Sequence, residues 1–90
     1  MAEEARDLTL LNKYGMHARP ALKFAEISMR YTSDIRVLTD EQEVNGKSVM
    51  GMMMLAAGQG TVLRVRASGD DAQVALDALE ALVSSKFDEE

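Results

Sequence analysis

The apolar residues of this chain change their spacing repeatedly, and that alternation most constrains how it can fold. Leu8 and Leu10 stand two apart, as on one face of a strand. From Ala18 the spacing becomes helical: Ala21, Phe24, Ala25 and Ser28 form one stripe, Leu22, Ala25 and Met29 an overlapping one, and Lys23, Glu26 and Arg30 the polar side. The period returns to two at Ile35, Val37 and Thr39, with Arg36 and Leu38 opposite. Asp40 and Glu41 suit a hairpin turn, and Glu43–Asn45 a short returning strand that Gly46 ends. Ser48 is placed to cap a short helix from Val49 to Ala56, with Gly58 as its natural stop. Thr61–Ala67 is the clearest strand, with Leu63, Val65 and Ala67 alternating against Val62, Arg64 and Arg66. Asp70 is placed to cap a last helix, with Gln73 at the capping-box position. Ala75, Ala78, Leu79 and Leu82 then show the spacing of a buried face. The order is β-α-β-β-α-β-α, an α+β pattern in which helices cover one face of an antiparallel or mixed sheet.

Ninety residues make a single domain, taken as 1–90 with loose tails at 1–6 and 86–90. The closing acidic residues sit badly near a helix C-terminus, so the last turn is expected to fray. There is no cysteine, which fits a cytoplasmic protein without disulfides. The acidic N-terminal residues do not form a signal peptide, and no apolar run is long enough to cross a bilayer. A net charge of −5 argues against general affinity for nucleic acid, which depends on Lys and Arg neutralising phosphates. Arg30, Arg36, Arg64 and Arg66 are expected on the solvent face.

The only histidine and the only proline lie three positions apart, at His17 and Pro20, where strand spacing gives way to helix spacing. A neutral imidazole is a competent nucleophile near pH 7. Just before a helix it faces the unpaired N–H groups of the first turn, which favour an anion. Arg19 adds a cation that can donate to a phosphate oxygen. A nucleophile, an anion site and a cation thus fall within three residues. The competing reading is a non-catalytic binding module with His17 as an ordinary cap. One histidine and no cysteine make a poor zinc set, so no metal is expected. No other cofactor is expected either.

A second stretch runs from Asn45 through Leu55. Gly46-Lys47-Ser48 looks like the end of a phosphate-binding P-loop, but Glu41 stands where that motif needs its first glycine. The run that follows is too apolar for every side chain to face inward, so some of Val49, Met50 and Met53 should be exposed. Flexible thioethers suit a surface that meets several partners.

Asn12, Gly15-Met16-His17-Ala18-Arg19-Pro20-Ala21, the run Asn45-Gly46-Lys47-Ser48-Val49-Met50-Gly51, and the closing Gly69-Asp70-Asp71 together resemble the HPr family. These are histidine phosphocarriers of the phosphoenolpyruvate-dependent sugar phosphotransferase system. Nearly the whole chain is covered in order. The resemblance implies an open-faced sandwich, a four-stranded antiparallel sheet with three helices on one face. It implies that His17 takes a phosphoryl group on Nδ1 from phospho-Enzyme I and passes it to IIA domains, as a carrier and not an independent turnover enzyme. Arg19 would help hold the phosphate, with the backbone amides of Ala18 and Arg19. Ser48 would be the regulatory site of an HPr kinase/phosphorylase. Met16, Val49, Met50 and Met53 would form the docking surface of a monomer. Within the family, a nitrogen-related regulatory branch is the alternative to sugar uptake. Met16 departs from the usual leucine, and the middle helix is unusually rich in methionine.

Overall fold

Strand β1 (Glu3–Thr9) leads through helix α1 (Ala18–Ser28) to the hairpin of β2 (Asp34–Leu38) and β3 (Glu43–Asn45). Helix α2 (Val49–Met54), strand β4 (Val62–Ser68) and helix α3 (Ala72–Ser84) complete the expected order. A single 3₁₀ turn, Lys86–Asp88, closes the chain. The fold is a computed structural model that describes residues 3–89.

The four strands form one antiparallel sheet in the order β1-β4-β2-β3. The late strand β4 thus fills the slot between two early strands. Alternation decides which face is covered. Leu8, Ile35, Val37, Leu63, Val65 and Ala67 are buried beneath the helices. Arg36, Arg64 and Arg66 point to solvent and pair with Asp34, Asp7 and Glu43 across the open face. Helix α1 buries the stripe Ala21, Phe24, Ala25 and Ser28, whereas Leu22 and Met29 of the overlapping stripe stay exposed. Helix α3 buries Ala72, Ala75, Leu76, Leu79, Leu82 and Val83. Each large apolar side chain so buried contributes on the order of 1.5–3 kcal/mol before entropy is counted.

Several boundaries differ from expectation, each for a tertiary reason. The strand expected from Asp7 begins at Glu3, because residues 3–6 pair with Val65–Ser68 of β4. Arg6 also reaches α3, with Nη1 2.6 Å from Asp77 and 2.9 Å from Glu80, so residues 3–6 are not a loose tail. The last helix is capped at Asp71 instead of Asp70, and without a side-chain cap bond. The Asp71 carboxylate is used elsewhere: it accepts from the Thr32 and Ser33 amides and from the Ser33 hydroxyl, tying α3 to the turn before β2. Those bonds, the Ser33 hydroxyl first, hold its pKa down at about 2. Helix α2 stops at Met54, and the left-handed residue that ends it is Ala56 (φ 50°), not Gly58. At the far end, residues 86–89 are ordered by tertiary contacts in place of the expected fraying. Phe87 is fully buried, and its carbonyl accepts from Lys23 Nζ at 2.6 Å. The expected loose ends at Met1, Ala2 and Glu90 lie outside the described residues. Among the described residues no helix is long and apolar enough to cross a membrane.

Candidate functional site

The loop between β1 and α1 takes its shape from Asn12 and Gly15. The buried Asn12 donates through Nδ2 to the Gly15 carbonyl at 2.7 Å. Gly15 has φ +64°, and a Cβ there would fall 2.3 Å from the Ala57 carbonyl oxygen. Only a residue without a side chain lets the loop lie this close to the α2–β4 connection. The Met16 amide then donates to that same Ala57 carbonyl at 2.8 Å. This bond turns the Met16 side chain inward, and it is only 4 % exposed. Met16 is therefore a core residue, and its expected place on a docking surface is corrected.

His17 follows at the N-cap position of α1, in extended conformation, and its side chain makes no cap bond. The Ala21 amide closes the first helical turn on the His17 carbonyl at 3.0 Å. The Ala18 and Arg19 amides therefore precede the first intrahelical bond, and Pro20 has no N–H. The helix mouth thus offers those two donors and the positive end of its dipole. The imidazole is 40 % exposed. Arg19 is exposed and forms no ion pair among the described residues. His17, Ala18 and Arg19 share a shallow open depression with Tyr14, Leu22 and Glu89. An arriving phosphate would meet two amide donors, one unengaged guanidinium and one nucleophilic ring.

Three contributors were not singled out from the sequence. Tyr14 stands edge-on to the imidazole, with ring centroids 6.1 Å apart, and Lys13 Nζ lies 5.4 Å from the Tyr14 centroid. Glu89 places Oε2 2.8 Å from His17 Nε2, while its Oε1 accepts from Asn12 Nδ2 at 2.9 Å. Asn12, which the sequence offers as part of the HPr-like signature without a role of its own, links loop and carboxylate.

On α2, Ser48 is the N-cap and its hydroxyl accepts from the Gly51 amide at 3.0 Å. Met52 faces inward, Val49 is half-buried, and Met50 and Met53 are 74 % and 45 % exposed. Met54 is exposed as well. Among the described residues no cluster of three or more metal-ligating side chains occurs.

A small open-faced sandwich with a half-exposed histidine at the mouth of a helix is the class that fold and site define. The family model described as "PTS HPr component phosphorylation site" matches residues 5–85. The chain is 44% identical over 84 residues to the phosphocarrier protein HPr of Xylella fastidiosa, covering 93% of this chain and 94% of that one. It is 39% identical over 89 residues to the phosphocarrier protein NPr of Shewanella violacea, covering 99% and 98%. The crystal structure of HPr-C-His from Thermoanaerobacter tengcongensis superposes with a TM-score of 0.92 at 42% identity, over 97% of this chain and 98% of that one. An HPr dimer from the same organism superposes with a TM-score of 0.75 at 44% identity, over 89% and 92%. The chain belongs to the HPr family, the phosphocarrier proteins of the phosphotransferase system.

Proposed function

We propose that His17 accepts a phosphoryl group on Nδ1 from phospho-Enzyme I and delivers it to IIA domains of the sugar phosphotransferase system. The observation that carries this reading is a half-exposed imidazole at the N-cap of α1 that caps nothing. The Nδ1 lone pair attacks phosphorus in line, the bond to the donor atom breaks, and its electron pair stays with the donor. Ala18 and Arg19 amides and the Arg19 side chain hold the phosphoryl oxygens. The docking partner supplies most of the positioning. An open depression suits this role, because two different proteins must reach the same ring.

Met50 and Met53, with half-buried Val49, form the docking face in this reading, and exposed Met54 and Leu22 extend it. Ser48 stands where an HPr kinase/phosphorylase would add about −2 charge beside that apolar face, weakening docking by repulsion and desolvation. The chain acts in the cytoplasm as a monomer, a state that sedimentation at working concentration tests directly.

Incubation with Enzyme I and phosphoenolpyruvate should add one acid-labile phosphate, read by intact mass. His17→Ala should add none and keep its thermal transition. Continued labelling of that variant would end the proposal. The similarity to an NPr keeps a nitrogen-related branch as the second reading. The acceptor that discharges the labelled protein separates the two.

A further inference from the structure

We infer that Glu89 is a positioning residue for His17: its carboxylate faces Nε2, keeps the ring proton on that nitrogen and so leaves Nδ1 as the nucleophile, an inference that rests on the phosphoryl-acceptor reading above. Among the described residues, His17 Nε2 is sealed from solvent and without a formed hydrogen bond, while Glu89 Oε2 lies 2.8 Å away. The distance is that of an ion pair and the approach is off the hydrogen-bond axis. Such contacts commonly tighten only in the reacting complex. The exposure of the ring belongs to its other atoms. An ionised carboxylate has no proton to give, so a ring nitrogen facing it is the one that carries N–H. The other nitrogen then keeps its lone pair.

The carboxylate is delivered by strained backbone. Lys86, Phe87 and Asp88 all have left-handed φ, at 57°, 57° and 58°. None is glycine, and such a conformation opposes L-residues. The buried Phe87 ring and the Lys23 bond to its carbonyl hold the turn in place. Asn12 fixes the carboxylate from the other side through Oε1, and Nδ2 of the same amide binds the Gly15 carbonyl. One buried side chain therefore sets both the loop that presents His17 and the carboxylate behind it. Among the described residues, the charged side chains of Lys13 and Arg19 line a depression with Tyr14 and Glu89.

In the transfer step, the Nδ1–P bond forms as the donor bond breaks, and the proton stays on Nε2. The product is a phosphoimidazolium whose positive charge faces the Glu89 carboxylate. Glu89→Ala removes that partner. Glu89→Gln does something sharper. Its single oxygen serves Asn12 Nδ2, and its NH₂ is left to donate to Nε2, which moves the ring proton to Nδ1 and blocks attack.

Imidazole ¹⁵N shifts of the full chain should show the Nε2–H tautomer in the wild type, a mixed population in Glu89→Ala and the Nδ1–H tautomer in Glu89→Gln. Labelling by phospho-Enzyme I should fall by on the order of tenfold in Glu89→Ala, the size of one charge-assisted hydrogen bond partly screened by water, and further in Glu89→Gln. Thermal transitions should stay near wild type, since the Phe87 anchor is untouched. Wild-type rates and unchanged ¹⁵N shifts in both variants overturn the inference while leaving the acceptor role of His17 standing. Labelling of His17→Ala overturns that role itself.

Discussion

Gly15→Ala tests whether the loop that presents His17 is held by close backbone packing. The added Cβ would stand 2.3 Å from the Ala57 oxygen and 2.7 Å from Gly58 Cα. Both are backbone atoms, so no side chain can swing away. A left-handed conformation costs alanine about 1–2 kcal/mol relative to its preferred ones. Relieving the clash must stretch or break the Met16 amide bond to Ala57, a loss of about 0.5–1.5 kcal/mol. Together these give a destabilisation of about 1.5–3.5 kcal/mol. In a domain of this size that lowers the melting temperature by roughly 6–28 °C, at 4–8 °C per kcal/mol. Gly58→Ala, one loop across, is the control. A Cβ there meets nothing within 4 Å, so the change should lie within about 0.5 kcal/mol of wild type. Urea denaturation of all three proteins, with slopes compared, measures the differences. Phosphohistidine formation should drop for Gly15→Ala even well below its transition, because His17 is two residues from the displaced backbone. Equal stabilities for the two alanine variants would refute the packing argument.

Two further perturbations probe the ends of the helical layer. Phe87→Ala should destabilise by about 3 kcal/mol, the low end for a buried aromatic, because releasing the turn also relieves its left-handed backbone; a loss under about 1 kcal/mol in urea would show that the turn is not anchored there. Asp71→Asn should be less stable than wild type near pH 6. Its folded pKa lies at about 2, below the 3.8 of the free group, so the stability it adds is complete above about pH 4 and disappears as pH falls through 2. The gap between the two proteins should close over that window, and a constant gap from pH 6 to pH 2 would count against the Ser33–Asp71 linkage as its source.

Where local pattern and tertiary packing agree, the sequence was legible. The stripe Ala21, Phe24, Ala25 and Ser28 is buried as its spacing demands, β3 falls on Glu43–Asn45, and Ser48 caps α2 through Gly51. Legibility failed where a distant partner overrode local preference. Glu3–Arg6 carries too much charge to read as strand, yet backbone pairing with β4 makes it one, and Arg6 finds Asp77 and Glu80 on α3. Asp70 and Asp71 are equivalent caps on paper, and only the nearby Ser33 distinguishes them. Met16 is placed on a docking surface by the family resemblance, but the Ala57 bond turns it inward. The C-terminal turn was the least legible, since three left-handed non-glycine residues in a row contradict every local rule. Spacing put His17 and Arg19 forward only as candidates beside an ordinary cap, and the fold sets both in one depression; the carboxylate 72 positions on from His17 could not be read, because only the fold brings it there.

The strand order has a consequence for how the protein is made. β4 pairs with both β1 and β2, joining Glu3 to Ser68 and Asp34 to Ser68, so the sheet cannot close until about three quarters of the chain has been synthesised. The loop around His17 rests on Ala57 and Gly58, in the segment that leads into that same strand. Such long-range pairing slows folding relative to local helix formation. While the chain is still emerging from the ribosome, β1 has no neighbour and the histidine has no site. A nascent fragment cannot compete for partners of the finished carrier, and phosphoryl chemistry begins only once translation has run well past residue 68.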